Sequence, residues 1–217
     1  MKRRIVVGMV SAVLAVLGYA DEKVEVAIDL PDPVIGGTPL SYENENLEPP
    51  DFKLREPFMA PDGTALVSKG APVTASTKPS FGTLEQITDG DKEAVNGNLV
   101  GLKKGPQWVQ LDLGKTIEMY GILIWHFHEY ERVYFDVVVQ ISDDPTFEKS
   151  VSTVYNSDND NSAGLGEGKD KLYIEKFEGR LIKLDGTKGR YVRLYSNGNT
   201  TDDDNHYLEV EVYGKAP

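Results

Sequence analysis

From residue 66 to residue 214 apolar and polar positions alternate along the chain, again and again, with a period of two. Trp108-Val109-Gln110-Leu111-Asp112-Leu113 alternates, and Gly114-Lys115 is expected to end that strand. Residues 117–127 are apolar on both faces, which predicts a central strand covered from two sides. Val133, Phe135, Val137, Val139 and Ile141 form a stripe opposite Tyr134, Asp136 and Gln140, and residues 191–195 and 208–213 repeat the pattern. Asp89-Gly90, Ser142-Asp143-Asp144-Pro145, Asp185-Gly186 and Asn197-Gly198 separate these runs with residues that tolerate turn geometry. No long segment holds a helical period. Short strands and polar turns of this kind predict an all-β domain over residues 66–217, an antiparallel β-sandwich or jelly roll.

The first 65 residues break this pattern twice. Lys2, Arg3 and Arg4 precede an apolar run over residues 5–17, and Gly18-Tyr19-Ala20 follows with small residues three and one positions before Asp21. Charged, apolar and small segments in that order predict a secretory signal peptide over 1–20. The run is shorter than the roughly 20 residues needed to span a bilayer, so no stable membrane span is expected after cleavage. Residues 21–65 then read as an N-terminal arm or linker. Alternation over 24–30 predicts one short strand, but seven of the twelve prolines fall between Pro31 and Pro61. Proline removes a donor and fixes φ, which excludes a helix or a central strand there. Phe52, Leu54, Phe58 and Met59 are the residues expected to pin the arm to the domain.

Composition narrows the chemistry. The chain has no cysteine, which excludes disulfides, thiol nucleophiles, zinc ribbons and iron–sulfur clusters. Its net charge is −12, and loss of residues 1–20, with three cations and no acid, takes it to −15. Nucleic acid is a poor partner for such a surface. Secreted or periplasmic work, neutral ligands and hard cations suit it better.

Six short motifs in order resemble the discoidin domain, the coagulation-factor type C family, which has a galactose-binding-like jelly roll. They are Val73-Thr74-Ala75-Ser76, Ile87-Thr88-Asp89-Gly90-Asp91, and Gln107-Trp108-Val109-Gln110-Leu111-Asp112-Leu113-Gly114. Ile122-Leu123-Ile124-Trp125, Gly189-Arg190-Tyr191-Val192-Arg193-Leu194 and Leu208-Glu209-Val210-Glu211-Val212-Tyr213-Gly214 complete the set. The resemblance implies a mostly non-catalytic module that binds glycans, lipid head groups or proteins through loops at one end of the barrel, often beside a structural calcium ion. It implies Asp89, Asp91 and Glu209 as the ligands. Where the family has a threonine this chain has Ala94, which offers only its carbonyl, and Asn96 stands near an aromatic position of the family.

The remaining candidates are polar residues in the loops. Pyranose recognition needs an aromatic face for C–H groups and planar polar side chains for hydroxyls. The loop after Trp125 offers His126, His128, Tyr130 and Arg132, and the loop after Tyr195 offers Asn197, Asn199 and Asp202. His206 opens the last strand, and on strand parity His126 and His128 share a face with Ile122 and Ile124. A carbohydrate or cell-surface glycan is therefore the expected partner. Two other readings stand beside it: protein–protein or surface assembly through residues 21–61, and a metal-dependent enzyme using the three histidines. Asp158-Asn159-Asp160-Asn161-Ser162 faintly resembles a calcium loop, but its glycine is out of register and Lys169 replaces the closing glutamate. The chain has no Gly-x-Ser-x-Gly, no His-Glu-x-x-His and no phosphate loop, so no catalytic residue is expected.

Overall fold

Two long strands, bent in the middle, generate the whole domain. The computed structural model describes residues 22–33, 42–51 and 53–216; the signal segment expected over 1–20 and Phe52 lie outside the described residues. The strands are β1 (Lys23–Glu25), β2 (Met59–Pro61), β3 (Ala65–Leu66), β4 (Val73–Ala75), β5 (Val100–Leu102) and β6 (Gln107–His126). They continue with β7 (Val138–Ser142), β8 (Ser152–Asn156), β9 (Arg180–Ser196) and β10 (Asn205–Lys215), and a 3-10 turn covers Leu84–Thr88. β1 and β2 form their own ribbon. The main sheet has the order β3-β10-β6-β9-β7-β8, with β4 on β6 and β5 on β10.

β6 and β9 pair antiparallel from Gln107 opposite Ser196 to Ile124 opposite Arg180, and the ladder breaks between Asp112 and Ile117 and again between Met119 and Gly121. The first half of β6 meets β4, whereas its second half meets β10. The bend thus divides one sheet into the two layers of a sandwich. Gly114-Lys115 does not end the strand as expected. Gly114 takes φ +76° and its N–H donates to Asp112 Oδ1 at 2.8 Å, which makes a bulge, and β6 runs on. Asp185-Gly186 is likewise a kink inside β9, not a turn between strands. The stripe from Val133 to Ile141 is shorter than its alternation suggests. Asp136 sits at φ +53°, which breaks the pleat, and β7 begins only at Val138.

Between the layers lie Val109, Leu111, Ile124, Val139, Val192 and Val210 with their neighbours, all fully buried. The opposite face of β6 and β10 is buried as well: Leu123, Trp125 and Leu208 pack there with Ala94, Leu99 and Phe127, beside the buried Glu209 and Glu211. The arm covers the continuation of that face. Phe58 and Ala60 are buried against Tyr120 and Tyr213, with Val26 and Ile28 beside them. Phe58 meets the Tyr213 ring edge-on at 5.8 Å. It also lies so close over Gly121 that a Cβ there would come within 2.6 Å of its Cζ. Only glycine leaves room for that ring.

The described residues Val26, Ile28, Phe58 and Ala60 of the arm thus pack on the sheet. Of the residues expected to pin it, Phe58 does so, but Leu54 is 73% exposed and Met59 is 47% exposed. Polar ties complete the attachment. Glu48 pairs with both terminal nitrogens of Arg180 at 2.7 and 2.8 Å. The Arg55 N–H donates to Glu178 Oε1 at 2.8 Å, and Leu47 bridges Leu172. The strand expected over residues 24–30 is confined to Lys23–Glu25 and pairs with β2 of the same chain. Among the described residues no helix is long and apolar enough to cross a membrane.

Truncating a buried aromatic side chain typically costs about 3–5 kcal/mol, whereas a surface change stays within about 0.5 kcal/mol. Phe58→Ala is expected to lower the free energy of unfolding in urea by the larger amount and Leu54→Ala by the smaller. Equal effects would mean that the arm is not part of the folded unit.

Candidate functional site

Where β5, β6 and β10 reach one end of the sandwich, loops bring an aromatic ring, a guanidinium, two carboxylates and an imidazole together. Phe81 lies on Gly101, at a position where any Cβ would clash with the ring, and is 40% exposed. Its ring centroid is 5.8 Å from that of His206. Arg132 Nη1 donates to Asp202 Oδ2 at 3.2 Å and lies 3.4 Å from His206 Nδ1, while its guanidinium covers the Phe127 ring at 5.0 Å. Tyr134 Oη is 3.1 Å from the same Nδ1. Asn199 holds the acidic loop in place. Its Nδ2 donates to Asp202 Oδ1 at 2.8 Å and to the Asp204 carbonyl at 3.0 Å, while its Oδ1 accepts the Thr201 N–H at 2.9 Å. Burial pushes the His206 imidazole below its usual range, with Asp202 opposing, so the ring is neutral near pH 7.

The other predicted residues end elsewhere. β6 stops at His126, so strand parity no longer relates His126 to His128. His126 is buried, stacked on Tyr134 at 4.3 Å, and its Nδ1 lies 2.6 Å from Glu175 Oε1. The Nε2–H of His128 donates to the Lys92 carbonyl at 3.1 Å, and burial lowers the pKa of that ring. The Nδ2 of Asn197 donates to Asp136 Oδ2 at 2.7 Å, whereas Tyr130 is 58% exposed. The structure thus gathers Arg132, Asn199 and His206, leaves Tyr130 and Asn197 apart, and places His126 and His128 in the interior. The three imidazoles do not converge on one point.

Phe81 and Tyr134 belong to this end, and neither they nor Glu175, the partner of His126, were singled out from sequence as site residues. Phe81 left one trace, a lone aromatic between Ser80 and Gly82 in a polar loop. Glu175 left none, because its meeting with His126 depends on a loop returning across the sheet. That loop also walls a cavity of about 610 Å³ beneath the arm, lined by residues that include Pro49, Arg55, His128, Tyr173 and Phe177.

The turn expected to hold calcium lies against β10. The Gly90 N–H donates to Glu209 Oε2 at 3.0 Å, and the Asp91 N–H donates to Asp89 Oδ1 at 2.8 Å. Gly90 has φ +93°, which suits glycine. Ala94 is buried beside the turn. Lys92, also buried, neutralises Glu211 at 2.6 Å. Glu209, in contrast, is buried with that single backbone donor, and burial pushes its carboxyl up to about 8 despite the donor and the Lys92 charge. A carboxylate so poorly compensated fits a cation. The oxygens of Asp89, Asp91 and Glu209 do not form a tight three-acid cluster, so carbonyls of the turn would have to supply much of the shell.

A second acidic group joins Asp136, which precedes β7, to Asp158 and Asp160 in the loop after β8. Its oxygens are taken by the loop itself: Ser162 Oγ donates to Asp136 Oδ2 at 2.7 Å, and the Ala163 and Ser162 N–H groups donate to Asp158 at 2.9 Å.

The strand order and the bent central pair define an antiparallel jelly roll of the galactose-binding-like kind, as the sequence resemblance implied. A family 89 glycoside hydrolase from Clostridium perfringens has this fold over 69% of the present chain at 20% identity and a TM-score of 0.51, and the matched region is 14% of the hydrolase. A Streptococcus pneumoniae fucose-binding module aligns over 70% of this chain and 99% of its own at 18% identity, with a TM-score of 0.49. A chitosan-binding module from a Paenibacillus sp. IK-5 chitosanase/glucanase aligns over 69% and 98% at 21% identity, with a TM-score of 0.47. No family model matches the chain, and no curated protein does. At these identities the likeness is one of fold.

An acid whose carboxyl is pushed up to about 8 from the ordinary 4.5 takes up a proton on folding between those limits. In chelator, Glu209's contribution is therefore most favourable below about pH 4.5 and is lost as pH rises towards about 8. Glu209→Gln removes that loss, so the melting temperature of wild type relative to variant is expected to fall between about pH 5 and about pH 8. A pH-independent difference would show that Glu209 is not held as an under-compensated acid.

Proposed function

We propose that this protein is an exported, non-catalytic carbohydrate-binding module whose ligand rests on the loop end formed by Phe81, Arg132, Asp202 and His206. One observation carries the reading. A partly exposed phenyl ring, Phe81, lies 5.8 Å from the His206 ring, and His206 Nδ1 is 3.4 Å from the Arg132 guanidinium that pairs with Asp202. The ring face suits the C–H groups of a pyranose, and the fork and the carboxylate suit its vicinal hydroxyls. Asn199 serves this rim by holding Asp202, since its own polar atoms are engaged. Export rests on the charged, apolar and small segments of residues 1–20. A structural calcium ion belongs to the same reading. Asp89, Asp91, the Ala94 carbonyl and Glu209 would hold it, and it would fasten the turn after the 3-10 segment to β10.

An aromatic contact of this type is worth about 1 kcal/mol, or roughly fivefold to tenfold in affinity. In affinity electrophoresis with neutral polysaccharides and calcium present, wild type is expected to be retarded and Phe81→Ala to lose most of that retardation. Unretarded wild type on every glycan, or an unaffected variant, would sink the assignment. For calcium, a melt in excess calcium is expected to lie several degrees above one in chelator, since an ion bound only by the folded state stabilises it by mass action. Superimposable curves would remove the ion from the picture.

A further inference from the structure

We infer that the cavity beneath the arm is a second binding site, separate from the loop end, for a small neutral polyol of the monosaccharide class. The arm crosses this cavity as a strap fixed at two points. At one end Glu48 pairs with Arg180, and at the other the Arg55 guanidinium donates to the Glu178 and Gly179 carbonyls at 2.8 and 3.2 Å. Between them Pro49 and Pro50 have no N–H with which to pair to the loop opposite, and both line the cavity. Its volume, about 610 Å³, falls among pockets that enclose small molecules, about 300–1,000 Å³. Neither Phe81 nor Asp202 lines it.

The polar groups around the cavity point to an occupant. His128, Tyr173 and Glu175 are each more than nine-tenths buried, and Arg180 is half-buried. All four line the cavity, and each has a buried polar atom that makes no hydrogen bond to any described residue: His128 Nδ1, Tyr173 Oη, Glu175 Oε2 and Arg180 Nε. Such atoms are costly, and folded proteins hold few of them. Their gathering around one cavity calls for a partner that enters it.

The same atoms define that partner's chemistry. His128 Nε2 faces the Lys92 carbonyl, which can only accept, so Nε2 carries the ring proton. Burial keeps that ring neutral near pH 7, which leaves Nδ1 as an acceptor. Glu175 Oε1 is engaged by His126, and Oε2 is a second acceptor. Tyr173 Oη and Arg180 Nε bring donors. Two acceptors and two donors are matched by hydroxyls, each of which both gives and takes a hydrogen bond. Charged ligands fit less well. The Arg180 charge is already met by Glu48, which leaves an anion no counter-ion among these atoms, and a cation would face the Arg180 and Tyr173 donors. Phe177, also in the lining, offers a ring to the C–H groups of a sugar.

The test is saturation-transfer NMR and calorimetric titration with D-glucose, D-galactose and D-mannose. It uses the Phe81→Ala protein, so that the loop end does not contribute, with and without Tyr173→Phe. At least one of the three sugars is expected to bind Phe81→Ala, and to bind at least about fivefold more weakly once Oη is removed. Tyr173→Phe deletes an oxygen that makes no hydrogen bond to any described residue, so the melting temperature without sugar is expected to hold or rise. No binding of any of the three sugars, or equal affinity with and without Oη, would overturn the site. A lowered melting temperature would overturn it as well, since Oη would then already have a partner. Failure of the loop-end reading shows elsewhere, in the electrophoresis of wild type against Phe81→Ala, which does not involve Tyr173.

Discussion

The second half of β6 is buried on both of its faces, and the rest of the molecule answers that demand. Residues 119–128 have no exposed member. On one side they meet the interlayer core, which a two-layer sandwich supplies by itself. On the other side Leu123 and Trp125 need a cover that the sandwich cannot give. The arm, the buried Lys92 with its partner Glu211, and the loop before β9 supply it. An uncovered face of that size would be an adhesive patch. Without cysteines, the chain has no cross-link to compensate for poor packing there. Packing of the arm does part of the work that bridges do in many small extracellular domains.

This cover explains why some parts of the structure were readable from sequence and others were not. The two-faced apolar run over 117–127 announces a doubly covered strand, and the structure has one. What covers it was hidden, because proline and glycine in residues 31–61 mark an irregular path without marking its destination. Phe58 is one aromatic residue in such a path, and only the gap over Gly121 shows why it docks. Period-two reasoning also failed where strands bend. Gly114 and Gly186 read as turns, yet each sits at a bulge within a continuing strand. Local sequence shows the kink but not whether the ladder resumes.

The same limit shaped the reading of the loop end. Arg132 comes from one loop and Asn199 and Asp202 from another, which the resemblance placed at one mouth, and they lie together with His206 from the start of β10. His126 and His128 were paired by strand parity, which lapses where β6 stops. One ring turned into the buried contact with Glu175 and the other towards Lys92. Two histidines two residues apart thus serve two different interior contacts. Residues whose position depends on a returning loop, such as Glu175 and Phe81, carry almost no local signal.

The two tryptophans divide the molecule in a way that bears on how it comes apart. Trp125 is sealed beneath the arm side, with its Nε1–H donated to the Phe177 carbonyl at 2.8 Å and the Lys92 ammonium 5.0 Å from its ring. Trp108 lies on the other layer, half-buried under the Arg193 guanidinium at 4.4 Å. Any event that lifts the arm alters the surroundings of the first indole and leaves the second untouched. Loss of the sandwich alters both. The chain therefore carries two optical probes of its own, and their emission separates peeling of the outer layer from collapse of the core.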